Sequence, residues 1–381
     1  MTRRVEALIE TSDRLHERVQ RFAAGDASDS FSGLALEIAQ FQAQASEGFR
    51  RLVRARGATL STLDAIPPVP SDAFRLARVA TYAPELDAVR FFTSGTTGAE
   101  RGTHAMRRTD TYERLSLAYG RQALLDRAVE AAVVVALAPA PTEPPSSSLG
   151  YMMARFMEAF DGEPLDDAEP SFASTARARW LLGENGVDLP GLERAARAAS
   201  QRGQPLLLLG TAFALVRLLD DLAGKHLPLP AGSVVMQTGG FKGRTREVSM
   251  EELRAGVATA LQLTATRVVG EYGMTELTSQ LYEATVAESA LAAAQPAAAP
   301  GIYFEPAWLR VTPVDPLTLQ PVADGDAGLA RFIDLGNVDS AVSVVTQDLV
   351  RRRNGGIQLL GRQAGAPARG CSLAIEALLH G

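Results

Sequence analysis

Four short apolar runs, separated by helix-forming segments, most constrain how this chain can fold. Residues 131–138, rich in Val, read as a buried strand, as do 206–209, 233–237 and 267–270. Between and around them, 149–160, 174–182, 191–202, 211–223 and 249–263 read as helices. The last opens with a capping box, Ser249 followed three residues later by Glu252. Strands that alternate with helices specify a mainly parallel sheet clothed by helices, an α/β fold.

The ends of the chain differ from this middle. Residues 1–56 read as helical, with Val5, Leu8, Ile9 and Leu15 and then Leu34, Ile38 and Phe41 near helical spacing, and Gly57 fits a helix stop. Ile66-Pro67-Pro68-Val69-Pro70 is extended, because a residue before proline is steered away from helix. Residues 109–128 read as a helix with Asp110 as its cap, and the Ala/Pro-rich stretch 284–300 as a surface loop or helix. From 302 to 360 the pattern turns to β, alternating through Trp308, Arg310 and Thr312, turning at Ala323-Asp324-Gly325, and resuming at Leu329, Arg331 and Ile333.

Bulk properties exclude several classes. The 381 residues are 46% hydrophobic, enough for a large core, and a net charge of −6 leaves no basic footprint for nucleic acid. No apolar run is long enough to span a bilayer. The amphipathic, acid-containing N-terminal segment is not a signal peptide, so a cytoplasmic location is expected. A single cysteine permits no intrachain disulfide, and with four scattered histidines (His16, His104, His226, His380) it forms no zinc-ligand spacing.

The chemistry is concentrated in three elements. The first is Thr93-Ser94-Gly95-Thr96-Thr97-Gly98, extending through Arg101 and Gly102 after the aromatic pair Phe91-Phe92. Glycines permit close backbone approach to a ligand, and hydroxyls with bare amides suit phosphate. No Gly-Lys-Ser/Thr follows, so it is not the common P-loop. The second is Gly270-Glu271-Tyr272-Gly273-Met274-Thr275-Glu276, after a strand, and the third is Thr346-Gln347-Asp348, followed by Gly361-Arg362. Between the first two, Thr238-Gly239-Gly240-Phe241-Lys242-Gly243 also follows a strand. Strand ends of this composition are where open α/β sheets take nucleotides. The set fits ATP. The first loop can hold the β- and γ-phosphates, and Tyr272 can face adenine beside the bare backbone of Gly239 and Gly240. Thr275 can bond an α-phosphate, Asp348 can accept from the ribose hydroxyls, and Glu276 is a hard oxygen ligand for magnesium.

These residues resemble the adenylate-forming superfamily of acyl-CoA synthetases, peptide-synthetase adenylation domains and luciferases. Within it the chain is most similar to the acyl-protein synthetases, the fatty-acid ligases of bacterial bioluminescence. The closer match lies in the Ile66–Pro70 segment with Phe74, Arg101-Gly102-Thr103-His104, Pro144-Pro145-Ser146-Ser147-Ser148-Leu149, Gly239-Gly240-Phe241-Lys242-Gly243-Arg244 and Arg369-Gly370-Cys371-Ser372-Leu373. The resemblance covers nearly the whole chain. It implies a large N-terminal domain over 1–362, layered αβαβα with mainly parallel sheets plus a β-rich C-terminal part. The mobile C-terminal domain would be reduced to a stub, 363–381. It also implies ATP- and magnesium-dependent activation of a carboxylic, fatty acid to an acyl-adenylate. The acyl group would then pass to a thiol, with an acyl reductase as acceptor and partner in a hetero-oligomer. Thr275, Glu276, His104 and Cys371 would be catalytic. The phosphate loop, Arg101, Gly239, Gly240, Tyr272, Gly273, Met274, Asp348 and Arg362 would bind nucleotide.

Three departures qualify the match. Arg101 stands where the superfamily has Lys, Gln347 replaces a Gly, and the chain ends soon after Arg362, without the lysine that the relatives' C-terminal domain supplies. Lys242 is either a substitute for it or a surface salt-bridge partner. Cys371 is either an acyl relay, its thiol acidified by Arg369, or an inert buried thiol. His104 either orients the carboxylate or phosphate, or is a structural donor behind the loop. Ser147 and Ser148 shape the acyl pocket rather than react. Two other readings stand beside the protein-thiol ligase: a ligase for an aryl or short acid with coenzyme A as acceptor, and a non-catalytic nucleotide- or acyl-binding scaffold.

Overall fold

The four apolar runs form four adjacent parallel strands. The computed structural model describes residues 3–93, 101–161, 179–239, 248–295, 299–363 and 368–380. In it Val133–Leu137, Leu206–Thr211, Val234–Thr238 and Val268–Tyr272 lie side by side in that order. Successive residues of a strand point to opposite faces, and here both faces are covered. Val133, Val135, Leu206 and Leu208 meet Leu192, Leu215 and Val257 of helices Leu189–Gln201, Ala212–Leu222 and Met250–Leu261. Val134, Ala136, Leu207 and Met236 join the other core, with Leu115 and Phe156 of helices Asp110–Leu124 and Ser148–Asp161. The runs therefore show no polar alternation.

Local signals set the helix ends. Thr211 caps Ala212–Leu222 by accepting from Ala214, and Ala223 ends it in the left-handed region. Ser249 and Glu252 form the expected reciprocal capping box. At the N-terminus three helices, Arg3–Ala23, Phe31–Ala45 and Glu47–Ala55, replace the single helical stretch, broken where Ser30 and Ser46 each cap the helix that follows.

The β-rich part continues the same sheet. Leu281–Glu283 runs back antiparallel to Val268–Tyr272, and Ile302–Phe304 joins it to Gly356–Arg362. Ser343–Arg353, Ala327–Asp334 and Leu309–Val314 follow, each antiparallel to the last. The proline-rich segment adds Val69–Pro70 as a parallel partner of Ser343–Arg353, giving an eleven-stranded mixed sheet among the described residues.

Two segments differ from expectation. Residues 174–182 were expected to be a helix, yet Trp180 bridges Ala136 and Leu182–Gly183 pairs with Gly186–Val187. The hydrogen bond from Leu181 N to Ala136 O, 2.8 Å, lays this segment along the strand. The part before Arg179 lies outside the described residues. The tail is a docked helix, Arg369–His380, packed on Glu47–Ala55. Arg51 donates to Leu378 O at 2.7 Å and Arg56 to Gly370 O at 3.0 Å. No helix among the described residues is long and apolar enough to cross a membrane.

Candidate active site

The first element sits at the open end of a hairpin. Val89–Phe92 pairs antiparallel with Thr103–Met106, placing Phe91 opposite His104 and Phe92 opposite Thr103. Thr93 closes it twice: its N–H donates to Gly102 O and its Oγ1 accepts from Gly102 N, both at 2.9 Å. A Cβ on Gly102 would lie 2.9 Å from Thr93 Cγ2, so the closure needs a glycine there. Ser94, Gly95, Thr96, Thr97 and Gly98 lie outside the described residues. Arg101 is exposed where the chain re-enters the hairpin.

His104 ties this hairpin to the second element. Its Nδ1 is 2.7 Å from Thr275 O, and a carbonyl only accepts, so Nδ1 carries the proton and donates. Phe74 packs edge-on against the ring, and the side chain is 2% exposed. Burial pushes its pKa down to about 4, so the imidazole is neutral. The geometry is that of a donor fixing the Thr275 turn, the structural alternative of the two.

The second element follows the carboxyl end of Val268–Tyr272, beside that of Val234–Thr238. Thr238 lies opposite Glu271 in the parallel register, with Gly239 one residue beyond. Gly239 is left-handed (φ 67°), and an added Cβ would meet nothing within 4 Å, so space is open beside its backbone. Gly240 and Lys242 lie outside the described residues. Tyr272 stacks one face on Phe332, with centroids 5.9 Å apart and planes 9° apart, and donates its hydroxyl to Asp348 Oδ2 at 2.7 Å. That bond joins the second element to the third. Gly273, Met274 and Thr275 form the turn after the strand, with Met274 O accepting from Leu277 N at 3.1 Å.

Glu276 is the buried acid of the site, 8% exposed. Burial pushes its carboxyl up to about 7; a bond from its own backbone N–H opposes the rise, Asp72 and Asp348 add to it, and Arg362 opposes it. Asp348 stands opposite Arg362 across two paired strands, and Gln347 donates to Asp72 Oδ2 at 2.8 Å. Among the described residues no group of three or more His, Cys, Asp or Glu is arranged to hold a metal ion. A lone acid in the field of two others suits magnesium, which typically takes one or two carboxylates and fills its sphere with substrate phosphates and water.

Cys371 is buried in the tail helix. Its sulfur joins Val314, Leu319, Leu329 and Val345 in an apolar cluster, and the residue is 2% exposed. Burial pushes the thiol up to about 11, with Asp72 adding to the rise. The acidification expected from Arg369 is therefore absent: the cause that lowers it is Arg56, and burial outweighs that. Ser147 accepts from Gly150 N at 3.1 Å, in the first turn of helix Ser148–Asp161.

Other residues of the candidate site were given no role in the sequence reading. Glu271, on the opposite face of its strand from Tyr272, is 5% exposed, accepts from the Thr238 hydroxyl, and is pushed by burial up to about 7. Asn337 donates to Glu276 O and Asp334 accepts from Thr278 N, so the two hold the backbone at and just after Glu276. The available signal was the polar run Asp334–Ser340 between two apolar strands, a pattern that reads first as an exposed loop.

No protein-family model matches the chain, and no curated protein matches it. Solved structures do. A 2-hydroxyisobutyryl-CoA ligase in its thioesterification state, in complex with 2-HIB-AMP and CoA, superposes with a TM-score of 0.56 at 13% identity, covering 93% of this chain and 68% of that one. The same ligase in its postadenylation state with 2-HIB-AMP gives 0.55 at 12% identity, covering 88% and 72%. An open conformation with 2-HIB-AMP and CoA gives 0.53 at 13%, covering 86% and 73%. The chain has the mixed α/β fold of the adenylate-forming enzymes, with a β-rich C-terminal part. At this identity, the fold is what it has in common with that CoA ligase.

Proposed function

We propose that this chain is an ATP-dependent, AMP-forming ligase that activates a carboxylic acid as an acyl-adenylate and passes the acyl group to a thiol. The observation that carries the reading is the bonding of separate segments around one buried acid. His104 bonds Thr275 next to Glu276, Tyr272 bonds Asp348, Asp348 stands opposite Arg362, and Gln347 bonds Asp72.

In this reading the acid's oxygen attacks the α-phosphorus and pyrophosphate leaves. Catalysis of that kind is mostly positioning and charge neutralisation. Thr93 and Gly102 fix the ends of the phosphate loop, and Thr275 bonds the α-phosphate. Tyr272 and Gly239 flank the base, Asp348 accepts from the ribose, and Arg101 and Arg362 supply positive charge. Glu276 would hold magnesium, which would neutralise phosphate charge. His104 keeps the Thr275 turn in place. The sequence resemblance favours a fatty acid, a protein thiol as acceptor and an acyl reductase as partner. A second reading, coenzyme A as acceptor, is favoured by the fold shared with a CoA ligase.

The test is acid-dependent ATP–pyrophosphate exchange across acids of rising chain length. Exchange that depends on the acid and falls at least a hundredfold in Glu276→Gln is the expected result. Wild-type protein that exchanges with no acid, or a Glu276→Gln variant as active as wild type, would leave the scaffold reading. Offering coenzyme A or a protein thiol to the preformed adenylate separates the two acceptors.

A further inference from the structure

Glu276 lies in a stretch that has little structure of its own. Between strands Val268–Tyr272 and Leu281–Glu283, the bond from Leu277 N to Met274 O is the one backbone bond described within the turn. Something else must hold the turn. Asp334 and the loop after it do so with side chains. Asp334 Oδ2 accepts from Thr278 N at 2.9 Å, and Oδ1 accepts from Ser279 Oγ at 2.7 Å and Gly336 N at 2.9 Å. Asn337 Nδ2 donates to Glu276 O and to Ala341 O, both at 2.9 Å, while its Oδ1 accepts from Thr278 Oγ1 at 2.6 Å.

The loop is itself held from behind. Gln42, in helix Phe31–Ala45, donates to Asn337 O at 2.7 Å and Val338 O at 2.9 Å, and accepts from Val342 N at 3.1 Å. Gln42 and Asp334 are fully buried and Asn337 nearly so. The fit at Gly336 is close: a Cβ there would lie 2.7 Å from Thr278 Cγ2. Burying this many polar groups is costly unless all are satisfied, and apolar side chains would fill the space at lower cost. What a satisfied polar network adds is a single geometry.

We infer that Asn337 and Asp334 are positioning residues for Glu276, clamping the Thr275–Ser279 turn so that the carboxylate faces the nucleotide. The inference rests on the proposed ligase reading. Loss of a residue that orients a ligating carboxylate from behind typically costs about 10–100-fold in activity or metal affinity. Asn337→Ala is therefore expected to lower the exchange kcat about tenfold or more, with KM for ATP and for the acid within about twofold of wild type. Gln42→Leu is the control, because it loosens the same network while removing none of the four bonds that Asn337 and Asp334 make to the Glu276 turn. It is expected to lower the melting temperature at least as much as Asn337→Ala and to keep kcat near wild type. Asn337→Ser, which keeps a hydroxyl donor, should recover part of the loss. Equal kcat losses in Asn337→Ala and Gln42→Leu, or none in Asn337→Ala while Glu276→Gln is dead, would overturn the clamp alone. Wild-type protein without exchange would instead overturn the ligase reading, and the clamp with it.

Discussion

His104 shows how one residue's surroundings decide its chemistry. Burial against Phe74 and a single carbonyl partner hold it neutral, with its pKa pushed down from 6.5 to about 4. The unfolded chain therefore binds the proton first as pH falls through that window, and stability drops between 6.5 and about 4. At about 1.4 kcal/mol per unit, the loss attributable to His104 is about 3 kcal/mol. Glu271 runs the other way. Its carboxyl is raised from 4.5 to about 7, so its contribution is lost as pH rises through that range. The windows overlap, so the measurement is a difference: urea midpoints of wild type and His104→Asn at pH 7 and pH 4.5. The variant is expected to lose less stability on acidification than wild type, and parallel losses would contradict a buried neutral imidazole. His104 was visible in the sequence as a candidate. That it serves as a donor to Thr275 was not, because its partner lies 171 positions away.

At the scale of elements, the clearest case is the tail helix Arg369–His380. The sequence singled out Cys371 as a lone thiol with Arg369 nearby. The helix turns that sulfur into an apolar cluster and pushes the thiol up to about 11, so at neutral pH it carries little thiolate. Labelling by a thiol reagent at pH 8 is expected to be slow in native protein and fast in urea. Cys371→Ser should keep pyrophosphate exchange within about twofold of wild type, as expected for a residue outside the reacting groups. A covalent acyl label in wild type that is lost in Cys371→Ser would restore the relay. Elsewhere local signals were enough for the capping box at Ser249 and Glu252 and for the extended proline segment, which depend on neighbours within four residues. The helix breaks at Ser30 and Ser46 are equally local but were not read from the sequence.

At the scale of the whole molecule, the mixed sheet joins segments that are far apart in the chain. Tyr272 and Asp348 lie on strands 76 positions apart and are joined at 2.7 Å. A hydrogen bond to a charged group contributes about 1.5–3 kcal/mol, and partial exposure reduces that to about 1 kcal/mol or more. A double-mutant cycle of Tyr272→Phe and Asp348→Asn is expected to show a coupling of that size in urea unfolding, and simple additivity would mean that the bond is absent in solution. The sequence by itself determined the α/β class, the parallel strands, the capped start of the helix at Ser249 and the glycine-, hydroxyl- and acid-bearing strand ends. All of these follow from spacing and from backbone preferences that act over a few residues. Only the tertiary structure decided that the β-rich part extends the same sheet, that Cys371 faces apolar side chains, that Asn337 reaches Glu276 and that Asp334 bonds Thr278 and Ser279 just after it. Burial and long-range hydrogen bonds set those outcomes, and both depend on which distant segments meet.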